Sequence, residues 1–409
     1  MSAPKLRFKE FDGEWKKCLL KDFVTFSKGK GISKADISAD GINLCIRYGE
    51  LYTTYGQVID KVISKTNIAK SNSVLSKAND VIIPASGETQ IDIATASCVL
   101  QNDVILSGDL NILSHQENGE WLAYYLSSAK KKDISTLAQG NSVVHLYSSQ
   151  LKDLKINKPS KEEQTKIASF LSAVDQKISQ LSQKHELLRQ YKQGMMQKLF
   201  SQQIRFKADD GSEFGEWGQN KIGNIVETIF GYPFDSKDMV EDPNGIPLMR
   251  GINIGERHIR HSVELDRFFV KDSSNLEKYT VKVNDIVLSM DGSKVGRNSA
   301  FVKERDANSL LVQRVCILRE KELANIQYIY QWIISNHFHR YVDQVKTSSG
   351  IPHISGKQIQ DYEIAFPCLE EQTKIANFLS AIDQKIEVVA QQIEQAKTWK
   401  KGLLQQMFV

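Results

Sequence analysis

The side chains best suited to chemistry in this sequence sit in short polar loops, and each loop occurs twice. Lys28-Gly29-Lys30-Gly31-Ile32-Ser33-Lys34 is answered by Gly231-Tyr232-Pro233-Phe234-Asp235-Ser236-Lys237. Ala85-Ser86-Gly87-Glu88-Thr89-Gln90 is answered by Met290-Asp291-Gly292-Ser293-Lys294-Val295-Gly296-Arg297-Asn298. A third pair is Gln139-Gly140-Asn141-Ser142 and Thr347-Ser348-Ser349-Gly350, and Arg257-His258-Ile259-Arg260-His261 is the densest basic patch. Glycine lets a backbone approach a phosphate. Arg, Lys, Asn, Gln and Ser hydrogen-bond phosphates and base edges. One such loop alone reads as turn chemistry; their recurrence in pairs brings contacts to phosphates and base edges level with that reading.

Catalytic signatures are missing. The nearest approach to a phosphate-binding G-x-x-x-x-G-K-[ST] runs from Gly350 to Gly356-Lys357-Gln358, one residue too long and ending in Gln. No G-x-G-x-x-G follows a strand-like run, and there is no nucleophile elbow and no H-E-x-x-H. Asp242-Pro243-Asn244 lacks the second proline and the aromatic residue of an amino-methyltransferase tetrapeptide. Cys18, Cys45, Cys98, Cys316 and Cys368 are scattered and form no C-x-x-C, which argues against a disulfide framework and a thiolate zinc site. The close pairs His258/His261 and His337/His339 have no cysteine neighbour, so no metal site is expected. Binding is the better reading than catalysis; a nuclease or methyltransferase should be active without partners.

An internal repeat shows what must hold these loops. Residues 162–178, EEQTKIASFLSAVDQKI, return at 370–386 with only Ser169/Asn377 and Val174/Ile382 changed, an offset of 208. The preceding halves match weakly at nearly the same spacing: Gly13-Glu14-Trp15 with Gly215-Glu216-Trp217, Arg47 with Arg250, Asn79-Asp80 with Asn284-Asp285, His145 with His353. Two globular units have therefore diverged while the segment after each stayed nearly fixed. The boundaries fall at 1–159, 160–203, 204–367 and 368–409. Within the units, strand-like runs at Val81–Pro84, Ala94–Leu100, Asp285–Met290 and Val312–Arg319 combine with helices at Glu120–Lys131 and Ile326–Tyr341, an α+β pattern without βαβ alternation.

Each near-fixed segment begins a long helix. Apolar residues step by four and three through Ile167, Leu171, Val174, Ile178, Leu181 and Leu188 in one copy, and through Ile375, Leu379, Ile382, Ile386, Val389 and Ile393 in the other. Each helix should run roughly 50–60 Å. Glu162-Glu163 and Glu370-Glu371 suit a helix N-terminus, and Ser160 with Glu163 fits a capping box that Cys368 cannot repeat. Lys192 and Lys400 fall at equivalent seam positions, where their stems should lie along the seam and their ammonium groups reach solvent; a register-setting role is the alternative. Two such helices in one chain pair most simply with each other, antiparallel, and would hold the globular units a fixed distance apart.

Composition sets outer bounds. The 409 residues are 41% hydrophobic and 25% charged, ordinary globular values, and the net charge is only +4, so any basic footprint must be local. The first residues lack an apolar signal region and no apolar run approaches a membrane span, so a cytoplasmic protein is expected.

These residues together resemble the DNA specificity subunits of type I restriction–modification systems. The duplicated E-E-Q-x-K-I-A-x-F-L-S-x-[VI]-D-x-K-I carries most of the likeness, with Gly-Glu-Trp, Arg47/Arg250 and N-D-[VI]-[IV]-[IL] adding to it. The resemblance implies two target-recognition domains, each reading half of a split, asymmetric sequence in double-stranded DNA. It implies an antiparallel coiled coil that fixes the unread spacer and docks two modification subunits. Those would carry S-adenosylmethionine and methylate adenine, and restriction subunits using ATP and Mg would join; this chain would bind no cofactor and catalyse nothing. Candidate contacts are Lys30, Lys34, Ser86, Thr89, Gln90 and Asn141 in the first domain and Lys237, Arg257, Arg260, Lys294, Arg297 and Asn298 in the second. A coiled-coil scaffold carrying two protein-binding domains is the competing reading.

Overall fold

The matching Asn-Asp turns show how the repeat folds. Asn79 (φ 80°) and Asn284 (φ 72°) lie in the left-handed region, which asparagine tolerates better than most residues. The aspartate that follows is buried in both copies. Asp80 accepts from the Lys77 N–H (2.8 Å) and the Ser114 hydroxyl (2.7 Å); Asp285 accepts from the Lys282 N–H (2.7 Å) and the Arg319 guanidinium (2.8 Å). Each turn launches a buried strand, Asp80–Pro84 or Ile286–Ser289.

The computed structural model describes residues 4–140, 143–348 and 350–408. The chain forms two units, one from the amino terminus to Lys184 together with the residues from Val389 onward, the other His185–Val388. Both long helices therefore contribute to both units.

In the first unit a five-stranded sheet runs in the order Val24–Lys28, Leu110–His115, Asp80–Pro84, Ser97–Val99, Val58–Ile59, antiparallel except at the last pair. A three-stranded sheet is built on Asn43–Ile46, and Lys16–Leu19 pairs with Lys155–Lys158. The second unit repeats this with four antiparallel strands: Glu227–Phe230, Val315–Arg319, Ile286–Ser289, Ser299–Phe301. Its three-stranded sheet is built on Ile246–Met249, and Gly218–Lys221 pairs with Glu363–Phe366. Both units are α+β, as the sequence pattern indicates.

Several expected elements are shorter than the apolar runs suggest. Ala94–Leu100 contributes only Ser97–Val99, because Gln90–Ile93 is a turn of helix. Val312–Arg319 contributes only Val315–Arg319 to the larger sheet, because the chain breaks at Arg314 (φ 68°); Leu310–Leu311, just before the run, joins the smaller sheet. The helix expected over Ile326–Tyr341 is two, Ile326–Ile333 and Asn336–Val345, because Ser335 caps the second by accepting the Phe338 N–H (3.2 Å). Glu120–Lys131 likewise resolves into Gly119–Ser127 and a separate Lys131–Leu137.

The long helices span Lys161–Phe200 (40 residues) and Leu369–Met407 (39 residues) and pair antiparallel. In the first unit Ile167, Leu171 and Val174 share a core with Leu403 and Met407 of the second helix, and with Trp121 and Tyr124 of the domain. In the second unit Ile375, Leu379 and Ile382 share a core with Met196 and Leu199 of the first helix, and with Tyr328 and Trp332. The apolar stripe thus serves helix and domain together. Leu181, Val389 and Ile393 are buried, whereas Ile178, Leu188 and Ile386 are partly exposed.

The two seam lysines do not reach free solvent. Lys192 is buried and holds both oxygens of Asp383 (2.6 and 2.7 Å), and Lys400 holds Asp175 (2.6 Å) and Gln57 (3.1 Å). These pairs are copies of each other, Asp383 following Asp175 and Lys400 following Lys192 by 208 residues. Each carboxylate also accepts from its own domain, Asp175 from the Tyr124 hydroxyl (2.6 Å) and Asp383 from the Gln331 amide (3.1 Å). A carboxylate at the same seam level, rather than free solvent, receives each ammonium group. That matches the register-setting alternative rather than the solvent-directed one.

Candidate nucleic-acid interface

The near-fixed helix starts anchor the globular domains through a glutamate and a glutamine that find matching partners in both copies. Glu163 is 2% exposed and takes Arg7 through two bonds of 2.8 Å and the Trp15 indole at 3.2 Å. Glu371 repeats this with Arg205 (2.7 and 3.1 Å) and Trp217 (2.8 Å). The carboxylates hold both guanidinium groups above their ordinary pKa, chiefly by hydrogen bonding. The expected capping box is consequently half formed: the Ser160 hydroxyl accepts the Glu163 N–H (3.3 Å), but the Glu163 carboxylate is committed to Arg7 and Trp15.

The neighbouring glutamine fixes the domain. Gln164 accepts the Asn118 N–H (3.0 Å), and Asn118 caps helix Gly119–Ser127 by accepting from Trp121 (2.9 Å). Gln372 accepts the Asn325 N–H (2.9 Å), and Asn325 caps helix Ile326–Ile333. Sequence reasoning missed this joint. The arginines that pair Glu163 and Glu371 were signalled by Leu6-Arg7-Phe8-Lys9 and Ile204-Arg205-Phe206-Lys207, a further repeat ahead of each Gly-Glu-Trp.

In the first domain Lys30 and Lys34 are exposed on a tightly held loop. A Cβ at Gly29 would lie 1.9 Å from the Ser107 carbonyl, and one at Gly231 would lie 2.0 Å from that of Val312, so both loops need glycine at the exit of their strand. Ser86 is buried in a two-residue strand paired to Val144–His145, with its hydroxyl 3.2 Å from His145 Nδ1. The polar-loop reading overlooked that pairing. Thr89 caps helix Gln90–Ile93, accepting from the Asp92 N–H (3.1 Å) and donating to its carboxylate (2.6 Å). Gln90 is exposed, and Asn141 lies outside the described residues. In both domains the second loop pairs with the histidine that follows the third, Ser86 with His145 and Asp291 with His353.

The second domain gathers its candidates more tightly. Arg257, Arg260, Lys294 and Asn298 surround one hollow of about 680 Å³. Arg257 adopts φ 67°, held by its N–H to the Ser299 carbonyl (2.8 Å), a conformation an arginine adopts only when its surroundings impose it. Arg297 is turned instead to Asp343, bonding both its oxygens (2.5 and 3.1 Å). Arg297 and Lys346 hold that carboxyl well below the usual carboxylate range. Lys237 does not line the hollow; it is exposed beside Asp235 (3.1 Å). Electrostatically, the hollow suits an anion wide enough to meet several cations.

Comparisons with known proteins agree with this layout. The family model described as "Type I restriction modification DNA specificity domain" matches twice, over residues 12–190 and 215–398. The chain is 26% identical to the type I restriction enzyme MjaVIII specificity subunit of Methanocaldococcus jannaschii, over 97% of this chain and 94% of that protein. Its fold is similar to a type I restriction–modification S subunit from M. genitalium, with TM-score 0.65 and 16% identity over 100% of this chain and 99% of the other. A chain from a structural study of type I restriction–modification complex assembly also shares the fold, with TM-score 0.55 and 15% identity over 97% and 98% of the two chains.

Proposed function

The chain belongs to the type I restriction–modification DNA specificity family, and from that membership we propose that it is the specificity subunit of such a complex. Each globular domain reads one half of a bipartite, asymmetric DNA sequence, and the paired helices set the number of unread base pairs between the halves. The observation that carries this reading is the repeat itself: two divergent domains, each matched by the family model, mounted on helix starts that differ at only two of 17 positions. A changing reader on an unchanging mount suits half-sites presented at a fixed helical phase.

The chain associates with DNA and with restriction–modification subunits. In finer detail, two modification subunits would dock beside the helices, bringing S-adenosylmethionine for adenine methylation. Restriction subunits using ATP and Mg would complete a cytoplasmic assembly. Catalysis would belong to those partners. Among the described residues no helix is long and apolar enough to cross a membrane.

DNA binding by the chain in complex with its modification subunits, titrated between about 50 and 200 mM salt, tests the reading. Phosphate contacts predict a steep loss of affinity across that range. Absent or salt-indifferent binding would favour the scaffold of two protein-binding domains.

A further inference from the structure

The hollow in the second domain has a wall that the recognition loops do not supply. His185 and Arg189, on the first long helix, face loop residues Arg257, Arg260 and Lys294 across it. With Glu256 as its single carboxylate, the lining carries a net charge of +3, in a chain whose total is +4. Two of its four cations lack a close counter-charge. Neither Arg189 nor Arg260 forms an ion pair among the described residues, although the Arg260 guanidinium donates to the Ile254 carbonyl (3.1 Å). The nearest to Arg257 is Asp383, and to Lys294 Glu256, both at 3.9 Å, the limit of an ion pair. Four like charges held in one hollow repel each other, and two distant carboxylates offset them only in part.

We propose that the first long helix is itself part of the DNA interface, with Arg189, supported by His185, seating backbone phosphates opposite Arg257 and Lys294 at the edge of the second half-site. This rests on the DNA-reading function above. Phosphates rather than bases are the fitting ligand because the helix seam is buried against its partner helix and domain, so it cannot enter a groove. Only the tips of its long exposed side chains extend outward, and such contacts fix position without reading sequence. The helix then places the duplex as well as spacing the readers.

The test is the salt dependence of DNA binding by the full chain in complex with its modification subunits, for wild type, Arg189→Lys, Arg189→Glu and Arg260→Ala. Each lost phosphate contact should reduce the slope of log affinity against log salt by about 0.9. Arg189→Glu should show that reduction and a several-fold weaker affinity on target and non-target duplexes alike, with Arg189→Lys close to wild type and the methylated motif unchanged. An unaltered slope in Arg189→Glu, beside weakened binding in Arg260→Ala, would overturn the helix contact and leave the DNA reading standing. No salt-sensitive binding by wild type would overturn both. If millimolar inorganic phosphate raises the melting temperature of wild type but not of Arg189→Glu, while the DNA slopes coincide, the hollow holds a free phosphate and the proposal fails.

Discussion

The spacer function yields a length prediction. Four residues inserted between Lys184 and His185, and four between Val388 and Val389, lengthen both helices at the border of the two units. A four-residue insertion keeps the apolar seam in phase apart from a local change of winding. It adds about 6 Å and about 1.1 turns to each helix. Each base pair occupies about 3.4 Å of duplex, so the added length corresponds to about two base pairs. The domains also rotate by about 40° beyond a full turn, against about 70° of twist in two base pairs, which leaves a mismatch of about 30°. Methylation should persist on a motif whose half-sites are unchanged and whose unread spacer is one to two base pairs longer. Two-residue insertions give about 200° of rotation and should abolish methylation. The assay is the methylated motif in cells carrying each variant. An unchanged spacer with methylation intact in the four-residue variant would refute the ruler.

Other consequences follow from individual contacts. Arg7→Met leaves Glu163 buried without its cation and should destabilise the first unit by about 3 kcal/mol, whereas adding Glu163→Leu should restore most of that; urea unfolding of both variants checks the pair, with the second unit's transition as control. Burial pushes the Lys192 ammonium down to about 8 despite Asp383, so from there to about 10.4 the unfolded chain keeps a proton that the folded chain has released. Stability of the second unit should therefore rise with pH over that window, by up to ~3 kcal/mol, and Lys192→Met should flatten the rise in chemical denaturation. Gly29→Ala forces a Cβ against the Ser107 carbonyl and should cost the first domain about 1–3 kcal/mol, with Gly231→Ala doing the same to the second; calorimetry of the two transitions tells them apart.

How much of this was written in the sequence depends on the range of the interaction. The long helices were plain because their apolar period repeats over many turns, and the α+β class was visible in the mixture of short strand-like runs with one helical stretch per unit. Interactions that need register were not visible. Lys192 on its own looks like a solvated seam lysine; only antiparallel alignment places Asp383 beside it. Glu163 looked like a dipole-complementing residue because helix-start rules are local, while its partners Arg7 and Trp15 lie about 150 residues earlier. The loops divide the same way. Arg257, Arg260, Lys294 and Asn298 come together around one hollow, a grouping their separate positions in the sequence did not announce. Ser86 disappears into strand pairing and Arg297 into an ion pair, since both partners come from distant segments. Arg189 was passed over because a charged residue off the seam is ordinary until a loop is seen opposite it.

The central claim is that this chain chooses the DNA sequence its complex modifies. A genome-wide adenine-methylation map, made with and without the chain in cells carrying its modification subunit, tests that most directly. A single split motif present only with the chain is the predicted result, both halves being read together. A stable complex whose methylation is independent of the chain would contradict it.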